Sequence, residues 1–205
     1  RKQLAAKVKN IIDSGKKSVV VVSAMGRKGD PYATDTLLSL IDKKYMENHK
    51  ISQDLLMCCG EIISSVVVCN SLYNYGIEAA PLTGGQAGII TDNNFTDARY
   101  INTDPIRILS ILEEGKVPVV TGFQGVTKDG LFTTLGRGGS DTSACILGVA
   151  LKAKEIQIYT DVDGIMTADP MLVGDASLID EVTYNELYQL ADQGAKVIHP
   201  KAVDL

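Results

Sequence analysis

The run Leu135-Gly136-Arg137-Gly138-Gly139-Ser140-Asp141-Thr142, entered from Thr133-Thr134 and left through Ser143-Ala144, combines more reactive chemistry than any other stretch. Glycines let the backbone approach a ligand closely, and a helix starting at such a run turns its first N–H groups and its positive dipole end toward an anion. Arg137 adds a guanidinium that can hold a carboxylate in a bidentate fork. The plain alternative is that Ser140 or Asp141 caps the helix, as both residue types do well. Two familiar nucleotide motifs do not apply. Gly15-Lys16-Lys17-Ser18 lacks the upstream glycine of a P-loop and precedes a strand pattern where a P-loop opens a helix. Gly136 and Gly138 are followed by Ser140-Asp141 where the dinucleotide fingerprint needs its last glycine.

Three further segments carry polar groups at informative places. Thr160-Asp161-Val162-Asp163-Gly164 follows the apolar run Ile156 to Thr160, and ligands of open parallel sheets bind outside the C-terminal strand ends. An acidic turn is the other reading. Gly194 to Pro200 places Lys196 beside a turn, where a lysine alone is usually a solvated charge, and His199 before Pro200 reads as structural. Glu61 lies in a strongly apolar helix pattern between Cys59-Gly60 and Ile62-Ile63. A carboxylate there needs a partner. A substrate ammonium is one candidate; an internal lysine is the blander and favoured one.

Strand and helix patterns alternate along the chain, which predicts an α/β domain with a mostly parallel central sheet between helices. Leu4, Val8, Ile11 and Ile12 recur at helical spacing up to Gly15, and Ser18 to Val22 reads as a buried strand. A helix begins at Thr34, and a long one runs from Ser52 to Tyr75, closed by Gly76. Ile77 to Leu82 is the next strand, followed by the turn Thr83 to Gly88. Asp104-Pro105 opens a helix with proline at its first position, Gly115 closes it, and Val117 to Thr121 is a strand. Lys128-Asp129-Gly130 suggests a hairpin turn. A helix then extends to Ala153, a strand covers Ile156 to Thr160, and a last helix lies around Tyr184 to Ala191.

With 205 residues, 45% apolar and 22% charged, the chain suits one domain with a sizeable core. A net charge of −5 with scattered Lys and Arg argues against a nucleic-acid partner. The apolar runs Val19 to Val22 and Ile62 to Val68 fall far short of the roughly 20 residues of a membrane span. Cys58, Cys59, Cys69 and Cys145 lack C-x-x-C spacing and read as reduced thiols of a cytoplasmic protein. The chain opens on Arg1 with no signal-peptide pattern, so it is expected to begin inside a larger protein.

Taken in order, Val20 to Gly26, Thr34-Asp35, Gly60 to Ser64, Leu82 to Gly88, Leu135 to Ala144, Thr160 to Pro170 and Gly194 to Pro200 resemble the aspartate kinases of the amino acid kinase family. The resemblance covers nearly the whole chain. It implies ATP-dependent phosphorylation of the side-chain carboxylate of L-aspartate, the first step toward lysine, threonine and methionine, with Mg2+ accompanying ATP and a homodimer as the full-length form. On that resemblance Arg137 binds the substrate's α-carboxylate, Glu61 binds its ammonium, Ser23 and Thr34 position it, and Gly138, Gly139 and Ser140 complete the substrate loop. Asp141 matches the acidic residue of the catalytic segment. Thr160 and Asp161 match the adenosine and ribose side, Met166, Asp169 and Met171 the loop around the nucleotide, and Lys196 a lysine near the phosphates. The resemblance also implies that residues 1–205 are a catalytic domain without its first strand and without the regulatory ACT domains. Met171 stands where many relatives have arginine, which removes one expected cation.

Overall fold

The computed structural model describes residues 2–27, 29–160, 164–168, 173–192 and 200–203. The first helix, α1 (Lys2–Asp13), stops short of Gly15, and β1 (Val20–Val22) follows. Two short helices, α2 (Thr34–Leu38) and α3 (Lys43–Asn48), lead to the 24-residue α4 (Lys50–Tyr73). Then come β2 (Ala79–Leu82), β3 (Ile89–Thr91), β4 (Tyr100–Thr103), α5 (Ile106–Glu113) and β5 (Val117–Thr121). The hairpin β6 (Gln124–Val126) and β7 (Phe132–Thr134) precedes α6 (Gly139–Ala150), and α7 (Tyr184–Asp192) and α8 (Pro200–Val203) close the described chain.

The parallel sheet has the order β1-β5-β2 and is covered on both faces. Side chains alternate across a strand, so Val20 and Val22 join Val119, α1 (Ala5, Val8) and α4 (Val68, Leu72) in one core. Val21 and Val120 turn the other way, onto α5 (Ile108, Ile111) and α6 (Ile146, Leu147). A strand covered on both sides is mostly apolar, and β5 is buried at all five positions, its one polar residue, Thr121, at the end that opens on the ligand edge. The α4 helix is long and apolar enough to cross a membrane, which the count of uninterrupted apolar runs missed. Its buried face nevertheless carries Asp54 and Glu61, and it packs on β2, β5 and β7.

A second sheet, of order β4-β3-β6-β7, goes beyond the mostly parallel expectation. Two of its three ladders are antiparallel, and β3 meets β6 in parallel. Its strands have only three or four residues, too few for alternation to stand out between the flanking glycines and polar residues. The turn expected at Lys128-Asp129-Gly130 does join β6 to β7. Pro105 is the N-cap of α5 and not its first residue, with the Ile106 N–H donating to Asp104 Oδ1 at 3.2 Å.

The strand expected over Ile156 to Thr160 is not formed. A strand exists through its ladder, and this segment pairs with no strand among the described residues. Side-chain contacts hold it instead: the Lys7 ammonium lies 3.9 Å from the centre of the Tyr159 ring, Lys16 pairs with Glu155 at 3.6 Å, and Ile156 packs over Gly148 of α6.

Candidate active site

In the parallel register Val22 lies beside Thr121, so β1 and β5 release Ser23 and Gly122-Phe123 at the same carboxyl-terminal edge. That edge is where an open α/β sheet leaves room for ligands. The Gly122 N–H donates to the Val22 carbonyl at 2.8 Å, which ties the two exits together. Phe123 then takes φ +68°, a conformation that costs a residue with a Cβ roughly 1–2 kcal/mol. Its N–H donates to Ser143 Oγ at 3.0 Å and its carbonyl accepts from the Leu135 N–H at 2.8 Å, so the fold holds it there from two sides.

Leu135 leads into the glycine-rich turn. Gly138 is the N-cap of α6 at φ +66°, and no side chain caps this end. The capping role considered for Ser140 and Asp141 is therefore not taken up; both lie within the first helical turn. A Cβ on Gly139 would come within 2.7 Å of Phe123 Cδ2, so glycine is what lets the helix start approach the β5 exit. The first N–H groups of a helix have no intrahelical acceptors, and α6 turns this end toward a cavity of about 400 Å³. The cavity is lined by Ser23, Thr34, Glu61, Phe123 and residues 136–141. A second hollow of about 470 Å³ continues from the shared wall of Ser23, Thr34 and Glu61 toward Arg27 and Asp35.

Glu61 reaches this wall from the middle of α4 because Gly60 allows close contact. A Cβ on Gly60 would lie 2.8 Å from the Ala24 Cβ. Across that contact the Ala24 N–H donates to Glu61 Oε1 at 3.0 Å, while Glu61 Oε2 has no hydrogen-bond partner. The residue is 4% exposed. Burial drives its pKa from 4.5 up to about 7, and hydrogen bonds from backbone N–H groups offset only part of that rise. Among the described residues the internal lysine favoured from sequence is not found, and no ion pair there involves Glu61.

Seven residues earlier on α4, Asp54 is fully buried. It accepts hydrogen bonds from the Thr96 N–H (2.9 Å), the Thr134 N–H (3.1 Å) and Thr134 Oγ1 (2.8 Å). Burial still raises its pKa, because desolvation outweighs these bonds and the more distant Lys50 charge.

The structure thus gathers Ser23, Thr34, Glu61, Arg137, Gly138, Gly139, Ser140 and Asp141 around one cavity. It does not bring Thr160 or Met166 to that lining; Met166 forms a bridge with Leu178. Asp161, Asp169, Met171 and Lys196 lie outside the described residues. Sequence reasoning missed Phe123, although its place after a buried strand at the ligand-binding edge is a usable signal. It also missed Arg27 and Asp54. No group of three or more His, Cys, Asp or Glu side chains among the described residues could hold a metal ion.

Known proteins resemble the chain along nearly its whole length. Over 208 residues the chain is 53% identical to aspartokinase 1 of Bacillus subtilis, covering 100% of this chain and 51% of that protein. The crystal structure of aspartate kinase from Synechocystis superposes with a TM-score of 0.81 at 40% identity, covering 99% of this chain and 32% of that one. E. coli aspartokinase III, crystallised in complex with aspartate and ADP, gives a TM-score of 0.69 at 33% identity over 75% of this chain and 35% of its own. The chain spans about half the length of the aspartokinases it matches in sequence. The model of the amino acid kinase family matches residues 1–205, and a parallel sheet between helices with a glycine-rich helix start at its ligand edge is the architecture found here: the chain belongs to the amino acid kinase family.

Proposed function

We propose that the protein transfers the γ-phosphoryl group of ATP to the side-chain carboxylate of L-aspartate. The observation that carries this reading is a buried carboxylate with one unpartnered oxygen, Glu61, in the same cavity as the guanidinium of Arg137. Such a pair suits a free α-amino acid, whose ammonium and α-carboxylate carry the complementary charges. An N-acylated amino acid has no ammonium to satisfy Glu61, and that disfavours an acetylglutamate kinase. The similarity to aspartokinases supplies the side chain, and the E. coli relative's complex with aspartate and ADP supplies the second substrate.

On this reading Arg137 grips the α-carboxylate, Glu61 the ammonium, and Ser23 and Thr34 flank the substrate. The nucleophile is a carboxylate already ionised at neutral pH, so no general base is required. Asp141, in the first turn of α6, orients cationic groups and takes no proton. The α6 start at Gly138 offers its positive dipole end, and first-turn N–H groups other than that of Gly139, which donates to the Gly136 carbonyl at 3.2 Å, to the charge that develops on the migrating phosphoryl group. Magnesium enters as part of the MgATP substrate, as expected of an ion that keeps phosphate oxygens as ligands. The nucleotide-side roles of Thr160, Asp161, Met166, Asp169, Met171 and Lys196 rest on the resemblance alone. So do the biosynthetic setting, the cytoplasmic location and the homodimer.

The test is hydroxamate trapping of the acyl phosphate by the complete gene product, offered aspartate, glutamate, N-acetylglutamate and succinate in turn. Product from aspartate alone is expected. Equal turnover of succinate, which keeps both carboxylates of aspartate but lacks its ammonium, contradicts the role of Glu61.

A further inference from the structure

The two charges that would read the substrate come from distant parts of the chain, Glu61 from α4 and Arg137 from the turn after β7, and something must fix their separation. Asp54 stands on the same face of α4 as Glu61, two helical turns or about 10 Å along the axis. It is fully buried and is not part of the cavity lining. Both of its oxygens hold Thr134, the last residue of β7 and three residues before Arg137: Oδ2 accepts from the backbone N–H and Oδ1 from the hydroxyl. The Thr134 carbonyl in turn accepts from the Ala98 N–H at 2.8 Å, and Asp54 Oδ2 also accepts from the N–H of Thr96 in the same β3–β4 loop.

Thr96 has φ +76°, a conformation unusual for a β-branched residue and kept only where surroundings impose it. One further bridge runs parallel to this grip: Gln124 Nε2, on the strand paired with β7, donates to the Cys58 carbonyl of α4 at 3.3 Å. The helix carrying Glu61 and the hairpin delivering Arg137 are therefore clamped by side chains that touch neither the cavity nor each other's charges.

We propose that Asp54 is a positioning residue for amino-acid recognition: its clasp on Thr134 sets the spacing between Glu61 on α4 and Arg137 beyond β7. The inference rests on the proposed reading of that cavity as the aspartate site. A loosened clasp lets the two charges drift relative to the fixed distance between an ammonium and its α-carboxylate, so the loss falls on aspartate and not on ATP.

The experiment compares Asp54→Asn, Thr134→Val and Thr134→Ser in the complete gene product, measuring KM for aspartate, KM for ATP, kcat and melting temperature. Losing a hydrogen bond to a charged acceptor corresponds to roughly a tenfold effect. Asp54→Asn and Thr134→Val are expected to raise the aspartate KM about tenfold or more while the ATP KM stays within about threefold. Thr134→Ser, which keeps the hydroxyl, is expected to restore the aspartate KM. Should Asp54→Asn fail to fold, the valine and serine pair decides alone. An aspartate KM unchanged in Thr134→Val, or one that rises equally in Thr134→Ser, or parallel rises for both substrates, overturns the inference. A wild-type protein that does not phosphorylate aspartate overturns the functional reading instead.

Discussion

At the scale of single residues, the cavity is defined by two charges of opposite sign held in different ways. Arg137 sits inside the glycine-rich turn between β7 and α6, and Arg137→Ala should weaken aspartate binding by about 2–5 kcal/mol while leaving ATP binding nearly unchanged, because it leaves a carboxylate unpaired. Titration with each substrate separately checks this. Glu61 is held near neutrality by burial, and its pKa of about 7 gives two linked expectations. Since the folded pKa lies above the ordinary 4.5, the cost of ionising it is absent below pH 4.5, grows as pH rises between 4.5 and 7, and is constant above that. At ~1.4 kcal/mol per tenfold, the rise amounts to roughly 3 kcal/mol of stability forgone at pH 8. Glu61→Gln should therefore melt no lower than wild type at pH 8 and lose this pH dependence, measured by thermal denaturation from pH 5 to 8. Aspartate affinity behaves oppositely. Binding an ammonium requires the ionised acid, so wild-type affinity should fall up to about tenfold per pH step below 7, and the glutamine variant should bind weakly at every pH. Both charged residues were legible in the sequence, Arg137 from its glycines and Glu61 from its apolar neighbours. Asp54 was not, because an aspartate near a helix start reads as an ordinary complement to the helix dipole, and only the tertiary fold shows that it is buried against Thr134.

At the scale of elements, close approach decides what the site can do. Gly60 is the contact point between α4 and the exit of β1, and the 2.8 Å that a Cβ would leave to Ala24 is too short to accept without movement. Gly60→Ala gains helix propensity of up to about 1 kcal/mol but overpacks a rigid contact at a cost of about 1–3 kcal/mol. The expected result is a destabilised protein, read by urea denaturation, in which the hydrogen bond from Ala24 to Glu61 is broken and aspartate binding suffers with it. The long helices and the parallel strands were legible because their apolar periods run for several turns or fill whole strands. The second sheet was not: β3 and β6 have three residues each, and their pairing depends on contacts more than 30 residues apart in the chain. The segment 156–160 shows the reverse error, since its apolar residues satisfy a strand pattern while Ile156 and Tyr159 remain 43% and 56% exposed. Alternation announces a strand only when a neighbour completes the ladder.

At the scale of the whole molecule, stability and function follow one gradient. β5 sits at the centre of the parallel sheet with every residue buried, whereas residues 156–159 lack a strand ladder. Amide exchange should report this directly: the amides of Val119 and Val120 should open only with global unfolding, and those of 156–159 should exchange orders of magnitude faster. Protection of 156–159 equal to that of β5 would contradict this reading of the segment. The cavity lies at the carboxyl-terminal edge of the stable sheet, roofed by the helix start of α6 and braced by α4, which is where a rigid fold can hold charges for a reaction that needs positioning more than proton transfer. The proposed reaction is attack of the side-chain carboxylate of aspartate on the γ-phosphorus of ATP. Incubating the complete gene product with MgATP and aspartate labelled with oxygen-18 in its side-chain carboxylate, and following the reaction by phosphorus NMR, tests it most directly. An acyl phosphate resonance carrying the oxygen-18 isotope shift is the expected result; no acyl phosphate signal, or one without the isotope shift, contradicts the claim.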